Sequence, residues 1–240
     1  MSDIPPLVLV PGLLCTAALW APQVSALKNL TDITVADQSA ANTVGGIAAA
    51  VLRAAPDRFA LAGLSMGGFI AFQMLRQAPE RIDRLALIAT TARRDPPDMA
   101  ARRREFIALS RSGKFRRISP LLVPSLVHPD RVGDKALAKV IYDMGMATGP
   151  AAFVRQQEAI LHRPDARLWL KDIGCPTLII AGRDDQRAPL AGAQEMADLI
   201  PGARLLVLDR CGHLPPLECP DETTAAMRAW LRGTEEEPHG

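Results

Sequence analysis

The chain has 240 residues, with 28 Lys and Arg against 26 Asp and Glu, a formal net charge of +2. That excess is too small to point to nucleic acid, while a 48% share of hydrophobic residues is enough for the core of one domain carrying an insertion. No stretch of about 18 apolar residues occurs, residues 1–6 lack the basic and apolar regions of a secretory leader, and four cysteines (Cys15, Cys175, Cys211, Cys219) do not make a disulfide framework; the expectation is a cytoplasmic protein with free thiols and no membrane partner.

In chain order, residues 6–10 read as a short apolar strand broken by Pro11-Gly12, and residues 32–36 as a second. Residues 43–54 are an alanine-rich helix for which Asn42 is the expected N-cap. Residues 59–62 form an apolar strand that runs into Gly63-Leu-Ser-Met-Gly67, and residues 69–75 continue as a helix. Residues 85–89 are a further buried strand. After it come roughly eighty residues, far more than a strand-to-strand crossover needs, before the apolar run at 175–182. That run ends in Gly182-Arg-Asp-Asp-Gln-Arg-Ala-Pro189. A helix at 189–199, a strand at 203–208, the segment Asp209-Arg-Cys-Gly-His213-Leu-Pro-Pro-Leu-Glu218 and a helix at 222–231 follow. Residues 233–240 form a short acidic tail, expected to be disordered. Strand alternating with helix implies a mostly parallel sheet covered on both faces.

The pentapeptide around Ser65 carries the chemistry. A serine between a strand and a helix, with glycine two residues to either side, sits on a sharp strained turn that holds its hydroxyl clear at a helix N-terminus. A match to Gly-x-Ser-x-Gly by itself is weak, since an ordinary turn with a capping serine gives the same pattern. The stronger reading requires an acid and then a histidine downstream. Asp184 and Asp185 follow one strand and His213 follows the next, each at a carboxyl end, where open α/β sheets bind ligands. The remaining histidines are His128 and His162 in the long insertion and His239 in the tail.

Taken together, Gly-Leu-Ser-Met-Gly-Gly, Gly-Arg-Asp-Asp-Gln-Arg-Ala-Pro and Cys-Gly-His-Leu-Pro-Pro-Leu-Glu-Cys-Pro resemble the motifs of the α/β-hydrolase superfamily, in its small bacterial esterase-like branch of carboxylesterases and pimeloyl-carrier methyl esterases. The resemblance implies an α/β-hydrolase fold with about six strands and an inserted helical cap. It implies Ser65 as nucleophile, His213 as base and Asp185 as the acid, with Asp184 as the neighbouring competitor. It places oxyanion-hole donors at the backbone N–H groups of Leu13 and Met66, although Pro11 stands where the family usually has a histidine that shapes this loop. Glu218 is expected to anchor the histidine loop. No metal or organic cofactor is implied, and a serine at the turn argues against family members that attack with aspartate.

The expected division is a hydrolase core at 1–92 and 167–232, a cap at 93–166 and the tail at 233–240. From 93 to 117 the cap holds nine Lys or Arg and three Asp or Glu, a local balance of +6 against +2 for the whole chain. This points either to an acidic substrate (a carboxylate-bearing ester, a CoA thioester, or an acyl group on an acidic carrier protein) or to a solvated helix face. Candidate substrate contacts are Leu14, Phe106, Phe115, Met144, Arg102 and Arg103, the apolar ones being equally candidates for cap core. The leading function is hydrolysis of a carboxylic ester with a small or medium acyl group. The alternatives are a lactone, thioester or carbon–carbon bond cleaved on the same machinery, or a binding protein that kept the fold.

Overall fold

The computed structural model describes residues 4–234. Its frame is six parallel strands in the order β2-β1-β3-β4-β5-β6: β1 (Leu7–Val10), β2 (Ile33–Val35), β3 (Phe59–Leu64), β4 (Ile82–Ile88), β5 (Thr177–Gly182) and β6 (Arg204–Leu208). Every residue of β1, β3 and β5 is buried. These strands carry near-continuous apolar runs because helices cover both faces of a parallel sheet. The period of two nonetheless sorts their side chains. Val8, Val10, Leu61, Leu85, Leu87 and Ile179 enter one core, against α2 (Val44–Ala54) and α3 (Met66–Gln77). Leu7, Leu9, Ala60, Ala62, Leu178 and Ile180 enter the other, against α1 (Ala21–Leu27) and the last helix.

The N-cap of α2 is Thr43 and not the expected Asn42: the Thr43 hydroxyl accepts the Gly46 N–H, the third amide of the helix. Asn42 instead reaches across to the Glu158 carboxylate.

The long insertion between β4 and β5 folds into α4 (Pro97–Leu109), α5 (Ile118–Leu126) and α6 (Lys135–Leu161). The last of these breaks at Gly149, which takes φ 74°, ahead of Pro150, whose ring cannot continue a helix. A third apolar cluster, with Phe115, Ile118, Leu122 and Phe153, joins these helices to Leu14 at the end of β1. The chain then runs through α7 (Leu190–Leu199), the short α8 (Pro215–Glu218) and α9 (Pro220–Arg232), which Gly233 ends in a left-handed conformation. The rest of the acidic tail, with His239, lies outside the described residues. No helix among the described residues is long and apolar enough to cross a membrane.

Candidate active site

Strand order reverses between β1 and β3: from β1 the chain crosses to β2 at the edge, then returns to β3 on the other side. The crevice at the carboxyl ends of these two strands is where an open parallel sheet has room for a ligand. Val10 pairs with Gly63 in register, so the loops that follow, 11–15 and the Ser65 turn, lie side by side.

Ser65 adopts φ 54° and ψ −111°, a conformation that costs a non-glycine residue roughly 1–3 kcal/mol. The turn is held by β4: the Ser65 N–H donates to the Ile88 carbonyl at 2.9 Å, and the Thr90 hydroxyl donates to the Ser65 carbonyl at 2.8 Å. Its tightness explains the flanking glycines. A Cβ on Gly63 would overlap the Gly67 carbonyl, and one on Gly67 would overlap the Val10 carbonyl. The other non-glycine residues with positive φ among the described residues are Leu14, Ala89 and Arg210. All four stand just beyond the carboxyl end of a strand, so the backbone strain is concentrated at one end of the sheet.

The Ser65 Oγ lies 2.9 Å from His213 Nε2, and His213 Nδ1 lies 2.8 Å from Asp185 Oδ2. A carboxylate only accepts, so the imidazole proton sits on Nδ1 and leaves Nε2 to accept from the serine hydroxyl. The second carboxylate oxygen of Asp185 accepts the amides of Arg187 at 2.7 Å and Ala188 at 3.0 Å, which fixes its direction. Asp185 and His213 are 5% and 6% exposed, and this dryness strengthens each charge-assisted bond. Asp184 does not compete: its carboxylate lies 3.5 Å from His128 Nε2 instead. Glu218 accepts the Leu214 N–H at 3.0 Å and the His128 N–H at 2.6 Å, tying the histidine loop to the segment between α5 and α6. His162 turns back onto its own helix, at the Glu158 carbonyl.

Met66 is the first residue of α3, and its N–H belongs to the group that has no acceptor within a helix. Beside it, the 11–15 loop is held by two glutamines that nothing in the motif reading singled out. Gln38 donates to the Gly12 carbonyl at 2.6 Å and the Cys15 carbonyl at 3.2 Å, and Gln156 accepts the Leu14 N–H at 3.2 Å. Where histidine is usual, Pro11 can donate nothing, and Gln38 supplies the restraint from a neighbouring loop. A signal for Gln156 was present: Phe153, Gln156, Gln157 and Ile160 follow helical spacing, so Gln156 and Gln157 fall on the buried stripe of α6.

A cavity of about 290 Å³ opens over Ser65 and His213. Leu14, Met144 and Arg103 line it, together with Leu122, Ile141 and Ile160. Phe106, Phe115 and Arg102 do not. Phe115 packs against Phe153 inside the helical insertion, with ring centroids 5.7 Å apart. Arg102 is exposed and lies over the Phe106 ring. Cys15 also borders the cavity, but burial pushes its thiol up to about 12, so it is not poised as a thiolate.

A family model described as the alpha/beta hydrolase fold matches residues 47–220. The sequence is 30% identical over 183 residues to a pimeloyl-[acyl-carrier protein] methyl ester esterase of Nitrosomonas europaea, covering 72% of this chain and 71% of that protein. Among solved structures, a thermophilic esterase from Thermogutta terrifontis with malate bound superposes with a TM-score of 0.86 at 27% identity, over 95% of this chain and 90% of that one. An enol-lactonase from Burkholderia xenovorans gives a TM-score of 0.85 at 26% identity, over 96% and 92%.

Proposed function

The chain belongs to the α/β-hydrolase family, and from that premise we propose that it is a serine hydrolase cleaving a carboxylic ester of a small or medium acyl group. The observation that carries this reading is the unbroken path from Asp185 through His213 to Ser65, at 2.8 and 2.9 Å. His213 takes the hydroxyl proton as Oγ attacks the acyl carbon, and Asp185 holds the imidazolium that forms. The oxyanion is received by the N–H groups of Leu13 and Met66, fixed dipoles that need no reorganisation. His213 returns the proton to the departing alkoxide, and water repeats the sequence to release the acyl group. The helical insertion at 93–166 serves as the cap, and its cavity of about 290 Å³ is at the small end for a ligand site.

Two relatives favour variants of the same chemistry. The enol-lactonase supports a cyclic ester, in which the alcohol stays tethered to the acyl group. The carrier-protein esterase supports a carrier-linked substrate, and the exposed Arg102, Arg104, Arg116 and Arg117 on the insertion offer a basic face to an acidic carrier.

The test is a panel of p-nitrophenyl esters with acyl chains of increasing length, run beside Ser65→Ala. Turnover should be confined to short and medium chains and fall by about 10⁴ or more in the variant. A fluorophosphonate should label the native protein on Ser65. Absence of both turnover and labelling would overturn the reading.

A further inference from the structure

The charges that line the cavity are mostly of one sign. Five arginines border it (Arg93, Arg94, Arg103, Arg163 and Arg187) with a single carboxylate among them, Asp95. Arg93 is answered from outside by Glu195 at 2.6 Å. Asp95 is shared: Arg103 reaches it at 2.5 Å and Arg163 at 2.8 Å, and Arg103 also donates to the Gln157 side chain. Arg187 is different. Its backbone amide holds Asp185, but its partly buried guanidinium has no hydrogen bond or ion pair among the described residues. Burial, and then the neighbouring charges of Arg103 and Arg102, outweigh the attraction of Asp185 and Asp95 and push its pKa down to about 10, which leaves it charged at neutral pH. Asp185 and Asp95 are both committed to other partners and neither pairs with it, and a cation removed from water is costly unless an anion answers it directly. The rest of the lining is mostly apolar, including Leu14, Leu122, Ile141, Met144 and Ile160.

We propose that Arg187 is the specificity residue for a substrate carboxylate, so that the preferred substrate is a half-ester: an ester group at Ser65, a short apolar spacer, and a free carboxylate paired with the Arg187 guanidinium. The inference rests on the ester-hydrolase reading for its chemistry and adds the charge of the substrate. A guanidinium presents two parallel N–H groups that match a carboxylate, and the Arg103–Asp95–Arg163 cluster holds positive potential beside it without supplying a competing free carboxylate. A carrier or CoA arm has no carboxylate to place there. The exposed Arg102 and Arg116, prominent in the sequence, do not border this cavity.

The experiment compares the monomethyl esters of succinic to pimelic acid with methyl esters of fatty acids of matched length, in the native protein, Arg187→Met and Arg187→Lys. These substitutions leave the amide that holds Asp185. The native protein should favour one of the half-esters in kcat/KM by about tenfold to a hundredfold, the range of one hydrogen bond to a charged group. That preference ratio should fall at least tenfold in Arg187→Met and recover in part in Arg187→Lys. An unchanged ratio in Arg187→Met, or no preference in the native protein, would overturn the inference while leaving the esterase reading intact. Binding separates the two readings. In Ser65→Ala, calorimetry should detect the dicarboxylate matching the best half-ester, and adding Arg187→Met should weaken it by the same factor. Binding of that kind without any ester turnover would sustain the anion site and sink the esterase. Equal binding with and without Arg187 would sink the anion site.

Discussion

Ser65, Leu14 and Ala89 all border the cavity with positive φ. Such conformations persist only where surrounding bonds over-determine them. At Leu14 the restraint is Gln156 on the Leu14 N–H, with Gln38 on the carbonyls of Gly12 and Cys15. These side chains do not touch a reacting atom. They set the direction of the Leu13 amide, the proposed oxyanion donor. Replacing Gln38 by Met keeps the volume and removes the donor. The Gly12 carbonyl then keeps only the Cys15 N–H and the Cys15 carbonyl loses the Gln38 donor, at about 1–3 kcal/mol of stability. Losing an oxyanion donor outright typically costs about 10²–10³ in turnover, and a misdirected one costs less, so kcat should fall about tenfold with KM changed by less than about twofold. Steady-state kinetics on a neutral p-nitrophenyl ester check this. A shift in KM alone would assign Gln38 to substrate binding instead.

At the level of elements, two of the contacts that hold the insertion matter most, one to the core and one between the insertion's own ends. One is the histidine loop, where the His213 N–H donates to the Leu126 carbonyl at 2.9 Å and a Cβ on Gly212 would come within 2.6 Å of the Val127 carbonyl carbon. The other is Asp95, just before α4, bridging Arg103 within α4 to Arg163 after α6 and so closing the two ends of the insertion on each other. The Asp95 side chain is 6% exposed. Burial alone raises its pKa, but the hydrogen bonds and charges of Arg163 and Arg103 outweigh that and hold it below the ordinary carboxylate value. Its folded pKa therefore lies below the unfolded one of about 3.9. The ionised carboxylate stabilises the fold fully above about pH 5, and that contribution is lost as pH falls through the folded value. Asp95→Asn leaves two buried guanidiniums without an anion and should cost about 3–5 kcal/mol. Thermal melts should show a drop of roughly 10 °C at pH 7, by the usual relation for a chain of this size, and the gap to the native protein should narrow below about pH 4. A gap that stays constant with pH would mean the loss is packing and not charge. The elements themselves were legible in the sequence wherever one signal dominated, as in the apolar runs of β3 and β5. The helix α1 and the break in α6 were not. The first is a short segment whose helicity depends on packing against α9, and the second turns on Gly149 and Pro150 inside an otherwise continuous helical pattern.

Over the whole molecule, the proposed catalytic groups were legible because each follows a strand, and parallel strands deliver all their carboxyl ends to one side. Charge was legible as a total and misleading as a location. The run from 93 to 117 carries a balance of +6 along the sequence, and α4 turns its arginines different ways: Arg102 and Arg104 to solvent, Arg103 inward to Asp95. Arg187, in the acid loop, drew no attention, because an unpaired cation is defined by what surrounds it in three dimensions. The molecule thus carries two separate positive regions, one on the insertion's exterior and one inside the cavity, and ionic strength tells them apart. Exposed charges are screened beyond about 8 Å at 0.15 M salt, whereas buried pairs are screened much less. With recognition seated at Arg187, kcat/KM for the preferred half-ester should change by less than about threefold between 50 and 500 mM NaCl. Replacing Arg104 and Arg117 by Glu should leave the half-ester preference in place. A steep loss with salt, or a loss of preference in that double variant, would move anion recognition out to the exterior face. The neutral methyl ester, run at each salt concentration, corrects for any effect of salt on the fold or on the chemical step.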